Sequence, residues 1–172
     1  MSAKLSVGRD GLLDSCWCGL GLLACVSNDQ VVRVNDLVED NEADDNFILT
    51  LADVPGMEGR QDKLTTVSYQ SSKRMLAAGT QGGRVIVWKH NGSRPLTGDA
   101  AQPERAWTPL PPVDIGTQPE ALTWAGADSV LAVCSSAGLH VCPETIPRRV
   151  MRDAWGTVRL SERTGTPSLP FG

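Results

Sequence analysis

One pattern occurs twice in this chain without a gap, as LACVSNDQVVRVND from Leu23 and as LAAGTQGGRVIVWK from Leu76. In each copy a small, apolar run leads into a turn and then a β-branched run. Leu and Ala coincide, as do a hydroxyl residue (Ser27 with Thr80) and two valines (Val32 with Val85, Val34 with Val87); Asn35 stands where Trp88 stands. Two β-rich runs separated by a turn form a hairpin. Gly82 and Gly83 supply the positive φ that such turns need, while Ser27–Gln30 uses residues that tolerate left-handed geometry. The Leu-Ala register returns at Leu131-Ala132, with a turn at Ala137-Gly138 and a return run over Leu139–Cys142. Leu23, Leu76 and Leu131 stand 53 and 55 residues apart. A unit repeated at such a period is one supersecondary element that stacks on its neighbours.

Each hairpin is preceded by a further strand: Ser15–Cys18, Leu64–Tyr69 and Ala121–Ala125, the last containing Trp124. The small residues Ala77, Ala78 and Gly79 leave room for packing on both faces of the middle strand. A small-residue strand, a Gly turn and a strand closing on Trp88 form the last half of a WD-type propeller blade. Phe47–Leu51 is the expected outer strand of the first blade, and Trp107 and Leu110 mark that of the second, ended by Pro109, Pro111 and Pro112. The expected architecture is therefore all-β, with WD40-like blades near 11–51, 64–110 and 116–142 and part of a fourth at 150–160. A polar tail over 1–10 and a disordered Ser/Thr/Gly/Pro-rich tail over 161–172 flank them. The repeat is longer than the WD period of about 40–45 residues, and the excess falls in the acidic stretch Val38–Asn46 and the Pro/Gly-rich stretch Asn91–Glu104. Propellers close with about four to eight blades. The expectation is thus an incomplete propeller, a truncated product or one needing other chain, whose open edges invite pairing.

Composition fits this reading. Seventeen Gly and eleven Pro are spread along the chain, and no apolar 3.6-residue period exceeds about three turns. A net charge of −4 supplies no global field for nucleic acid. The one basic cluster, Arg148, Arg149 and Arg152, reads as a solvated loop face. No apolar run reaches the ~18 residues of a membrane span. The nearest, Gly11–Val26, is broken by Asp14, which also argues against a signal peptide. Five cysteines, Cys16, Cys18, Cys25, Cys134 and Cys142, lie in apolar strand-like runs. Their odd number reads as reduced thiols packed as small hydrophobes, consistent with a cytosolic compartment.

Enzymatic chemistry finds no support in the sequence, and no cofactor or metal is expected. Cys16 with Cys18 and Cys25, or Cys134 with His140 and Cys142, offers zinc-ligand types without the paired C-x-x-C spacing. Glu39, Asp40, Glu42, Asp44 and Asp45 lack the Gly and closing Glu of a calcium loop. His90 and His140 have no nucleophile elbow or ordering acid near them in sequence. Gly79–Gly83 lacks the Walker pattern and lies between strands. What remains is structural: in WD blades a middle-strand hydroxyl and a Trp share a buried hydrogen-bond network with a His and a turn Asp. Thr80 and Trp88 supply half of it, the His and turn Asp being absent; the simpler role for Trp88 is a core aromatic. The structural blade positions are then Thr80, Gly82, Gly83, Trp88, Leu23, Leu76, Leu131 and Trp124.

VVRVNDLVEDNEADDNFILTL, LTTVSYQSSKRMLAAGTQGGRVIVWK and ALTWAGADSVLAV, in that order, resemble the WD-repeat region of the intraflagellar transport protein 140 family, over about Gly11–Leu160. Asn35 replaces the aromatic of the family's WD-like tripeptide. The resemblance implies a non-enzymatic scaffold in cilia that contacts the other subunits of intraflagellar transport complex A. It implies a role in retrograde transport and cilium assembly, at the cilium and its base and in the cytoplasm, without direct membrane insertion. The protruding acidic stretch and Asn91–Glu104 are the expected partner contacts. The alternative is a self-contained small β-domain that binds a ligand or partner and is unrelated to cilia.

Overall fold

The short apolar runs and their turns resolve into three antiparallel sheets in chain order. The computed structural model describes residues 11–19, 21–37, 47–91, 106–126, 130–143 and 158–159. The first sheet is β1 (Asp14–Trp17), β2 (Leu22–Val26), β3 (Val31–Asp36) and β4 (Phe47–Thr50), each pairing with the next. The second is β5 (Leu64–Gln70), β6 (Met75–Thr80) and β7 (Arg84–His90); its outer edge is shared by β8 (Trp107–Pro109) and β9 (Val113–Asp114), both paired with β7. The third is β10 (Pro119–Ala125), β11 (Val130–Ser135), β12 (Gly138–Pro143) and β13 (Val158–Arg159). Four antiparallel strands in meander order make one propeller blade. The described residues form three such blades, numbered 1 to 3.

The turns form as their residues dictate. Asn28 adopts φ 49° in the first hairpin and Gly83 φ 80° in the second, the left-handed region that Asn and Gly reach at least cost. The register makes the sequence repeat literal. Leu23 pairs with Asn35 and Leu76 with Trp88, so Asn35 occupies the structural position of Trp88. Outer strands are where sequence and structure differ. Pro109 ends β8 as the sequence reads, but two-residue β9 adds a further outer strand beyond Pro111 and Pro112, with no recognisable period. Pro119 opens β10, two residues ahead of the expected start, as Pro is tolerated at a strand's first residue. Val158 and Arg159 pair with Val141 and His140 as the fourth strand of blade 3. The rest of the partial blade expected at 150–160, the two tails, most of the acidic stretch and most of Asn91–Glu104 lie outside the described residues.

Two apolar seams hold the blades together. Between blades 1 and 2 lie Leu22, Ala24, Val34 and Phe47 on one side and Leu76, Ile86, Trp88 and Trp107 on the other, all buried. Leu51, Val54 and Met57, from the connection between the two blades, close the same cluster. That connection begins with a single 3-10 turn, Leu51–Asp53, capped by the Thr50 hydroxyl, which accepts from the Ala52 N–H at 3.2 Å. Between blades 2 and 3 lie Met75, Ala77, Val85 and Val87 against Leu131, Val133 and Cys142. Blade 2 is therefore covered on both faces, and every residue of β6 is buried. The alternation of apolar residues that normally marks a half-buried strand disappears there for that reason. Among the described residues, no helix is long and apolar enough to cross a membrane.

Candidate functional site

The repeat places equivalent residues at equivalent points of each seam. The innermost strands β1, β5 and β10 carry an aromatic opposite the repeated Leu: Trp17 faces Leu23, Tyr69 faces Leu76 and Trp124 faces Leu131. In blades 2 and 3 this aromatic turns toward the preceding blade. Tyr69 packs on the cluster between blades 1 and 2. Trp124 packs on the cluster between blades 2 and 3 and donates its Nε1–H to the Ser68 carbonyl at 3.2 Å. The residue after the repeated Leu faces the other way. Ala24 pairs with Val34, Ala77 with Val87 and Ala132 with Val141; in the first two pairs both residues are buried against the following blade. In blades 2 and 3 the innermost aromatic thus faces the preceding blade (the front), and in blades 1 and 2 the repeated Ala faces the following one (the back).

Polar groups fasten the same seams near the innermost strands. Asp14, which breaks the apolar run in the sequence, lies across the first seam. Its Oδ2 accepts from the Thr66 hydroxyl at 2.6 Å and from the Val67 N–H at 2.8 Å. The Thr65 hydroxyl donates within reach of the Gly79 and Pro119 carbonyls, and Gln70 Nε2 donates to the Gly126 carbonyl at 3.1 Å. Leu13, Asp14, Thr65, Thr66, Glu120 and Leu122 line a cleft of about 400 Å³ where these strands converge. Its carboxylates and hydroxyls suit contact with a polar or basic partner group rather than an anion.

Of the blade positions expected from sequence, Thr80, Trp88, Leu76 and Leu131 are fully or nearly fully buried. Leu23 and Trp124 are half-buried. The Thr80 hydroxyl does not reach a WD-type acid; its Oγ1 accepts from the Arg84 N–H at 3.1 Å and so closes the hairpin. The acid that serves the turn is Asp62, from the connection before β5. Its Oδ1 accepts from Gly82 N–H at 2.8 Å and from Lys63 N–H at 2.9 Å, and its Oδ2 lies 3.3 Å from an Arg84 guanidinium nitrogen. A Cβ on Gly82 would stand 2.7 Å from that carboxylate, and one on Gly83 2.7 Å from the Thr117 backbone nitrogen. Gly83 is thus fixed by approach as well as by its positive φ, whereas Gly82 lies outside the left-handed region, against expectation, and is held by its approach to the carboxylate alone.

The thiols divide by position. Cys18, Cys25 and Cys142 are buried and Cys16 is half-buried, but Cys134 is exposed on the back of blade 3. The expectation that all five pack inside fails at Cys134, because strand alternation turns it away from the seam. A hydrogen bond with Cys18, reinforced by burial, pushes the Cys16 thiol far up, and burial raises that of Cys25. Such thiols are neutral and weakly nucleophilic. No group of three or more His, Cys, Asp or Glu capable of holding a metal occurs among the described residues. His140 is buried on the front of blade 3 with an unsatisfied Nδ1, and His90 is buried edge-on against Trp107 at 5.0 Å.

Comparison with known proteins agrees with this geometry. The family model described as the IFT140 first β-propeller matches residues 1–145. A chain from a crystal structure of the mitotic checkpoint complex superposes with a TM-score of 0.51 at 18% identity, a likeness that shows the propeller fold alone. It covers 86% of this chain and 37% of that one. No curated protein matches.

Proposed function

The chain belongs to the family of the IFT140 first β-propeller, and on that premise we propose that it is a non-enzymatic scaffold segment that binds proteins through its blade faces and rim. Family membership over residues 1–145 carries the reading, and the architecture supports it. Rigid blades with buried seams present fixed surfaces, and loops set on such a frame are the usual carriers of recognition. The partners we assign are the other subunits of intraflagellar transport complex A, with the chain acting at the cilium and its base in retrograde transport and cilium assembly. Exposed Trp17 and an acceptor-rich cleft suit protein surfaces better than nucleic acid, which a net charge of −4 repels.

The test is co-purification. The tagged chain is mixed with reconstituted complex A subunits and recovered by affinity. Retention of at least one subunit, competed by an untagged excess of the chain, is the expected result. Recovery of the chain alone would remove the complex A assignment while leaving the family and fold intact.

A further inference from the structure

We propose that Cys16 and Cys18 form a two-coordinate site for a soft monovalent cation, copper(I), at the first seam. Cys16 lies opposite Ala24, and the Cys18 N–H carries the pairing one step beyond Trp17 by donating to the Leu22 carbonyl at 2.8 Å. Ala24, Leu22 and Cys18 all belong to the cluster between blades 1 and 2, and Cys16 packs against it. Side chains two residues apart on a strand share a face, so the two thiols point the same way. Cys18 Sγ leans back along the strand to 3.9 Å from the Cys16 carbonyl oxygen, and it comes within hydrogen-bond reach of the Cys16 thiol. Cys25 does not join them. It lies opposite Ser15, and alternation turns it to the other face.

The number and spacing of the donors select the metal. Structural zinc takes four ligands, and no group of three or more candidate ligands occurs among the described residues. Soft thiolates favour copper(I), a closed-shell ion that two sulfurs in line satisfy. A linear S–Cu–S unit spans about 4.5 Å, twice a metal–sulfur bond of about 2.3 Å. Cα atoms two residues apart on a strand are separated by about 6.5 Å, the long end of the range for a disulfide. The pair therefore suits a bridging ion better than a direct S–S bond. Electrostatics point the same way. The hydrogen bond with Cys18, burial and the repulsion between two thiolates hold the Cys16 proton in place, and a cation between the sulfurs removes that repulsion. Each thiol gives up its proton as its sulfur–copper bond forms, which leaves a bis-thiolate complex with a single net negative charge. Cys16 is half-buried and Cys18 buried, so the ion enters past Cys16 and the seam then shields it.

The experiment is anaerobic titration of the reduced 172-residue chain carrying Cys134→Ser, which removes the exposed thiol, with copper(I) held by the chromogenic chelator bathocuproine disulfonate. One copper per chain should be withdrawn from the chelator, with a thiolate-to-copper absorption band in the ultraviolet. Because both thiols lose a proton, the apparent affinity should fall about a hundredfold per unit of pH lowered. Cys16→Ser and Cys18→Ser should each weaken binding by more than the about 10–100-fold that the outer partners of a metal contribute, whereas Cys25→Ser should leave it unchanged. Circular dichroism checks the fold of each variant, and Cys18→Ala replaces Cys18→Ser should that buried variant not fold. X-ray absorption of the loaded chain needs no change at the site and should show two sulfur neighbours per copper. A chain that withdraws no copper from the chelator, binding that survives the loss of either thiol, dependence on Cys25, or a third sulfur at the metal would each overturn the proposal.

Discussion

Gly79 gives the sharpest test of the seam between blades 2 and 3, because two physical effects predict opposite signs for Gly79→Ala. Gly79 lies in the interior of β6, outside the left-handed region. On backbone entropy alone, alanine should stabilise the strand by about 0.5–1 kcal/mol. Packing says otherwise. The added Cβ would lie 2.7 Å from Pro119 Cβ, 2.8 Å from Thr66 Cγ2 and 2.9 Å from Pro119 Cγ. The proline ring opens β10 and cannot swing aside. Thr66 can rotate only by giving up its 2.6 Å hydrogen bond to Asp14. Overpacking of this kind costs about 1–3 kcal/mol, and the net expectation is a loss of about 1–2 kcal/mol. With a urea slope of about 2 kcal/mol/M, the unfolding midpoint falls by about 0.5–1 M. The double variant Gly79→Ala/Pro119→Gly, which removes both the Cβ and the Cγ that the new methyl meets, should recover part of that loss, with a coupling of about 1 kcal/mol. A Gly79→Ala chain as stable as wild type, or strict additivity with Pro119→Gly, would refute the close approach of β10 to β6.

Three further outcomes follow from the same seams and turns. Asp62→Ala removes the acceptor of the Gly82 and Lys63 N–H groups and the partner of Arg84, and should cost about 1–3 kcal/mol by urea unfolding. Trp124→Phe keeps the ring in the seam but loses the bond to the Ser68 carbonyl, for about 0.5–1.5 kcal/mol. Alkaline pH should weaken the first seam: burial, with a smaller contribution from Cys18, pushes Tyr69 from 10.0 up to about 12. A raised folded value means that the stability tied to neutral Tyr69 is full below pH 10 and is lost as pH rises toward about 12. Thermal unfolding across that window should show a decline that Tyr69→Phe reduces.

The sequence revealed the blades because each Leu-Ala register sets a hairpin whose side chains alternate with period two, and Leu76 and Leu131 both lie in seams as that alternation requires. It did not reveal the groups that join one blade to the next. Asp14 meets Thr66 across 52 positions of chain, and Asp62 meets Gly82 across 20. Each carboxylate looks in isolation like a break or a polar link, since its partner is chosen by stacking. Thr80 and Trp88 suggested a WD-type network, but the hydroxyl turned to its own hairpin through Arg84 and the acid came from an earlier connection. The short β9 and the exposure of Cys134 depend on edge pairing and on which face a neighbour covers. Local period carries neither.

The central claim is a stack in which blade 2 is the inner member, covered on both faces, and hydrogen exchange followed by mass spectrometry tests it most directly. Peptides from β6 and β7, where eleven residues are buried, should exchange slowest, because their amides open only with the whole stack. Peptides from β1 and β12, each at a face that no described blade covers, should exchange faster. The account predicts that order. Protection equal across the three blades, or fastest exchange in β6, would contradict it.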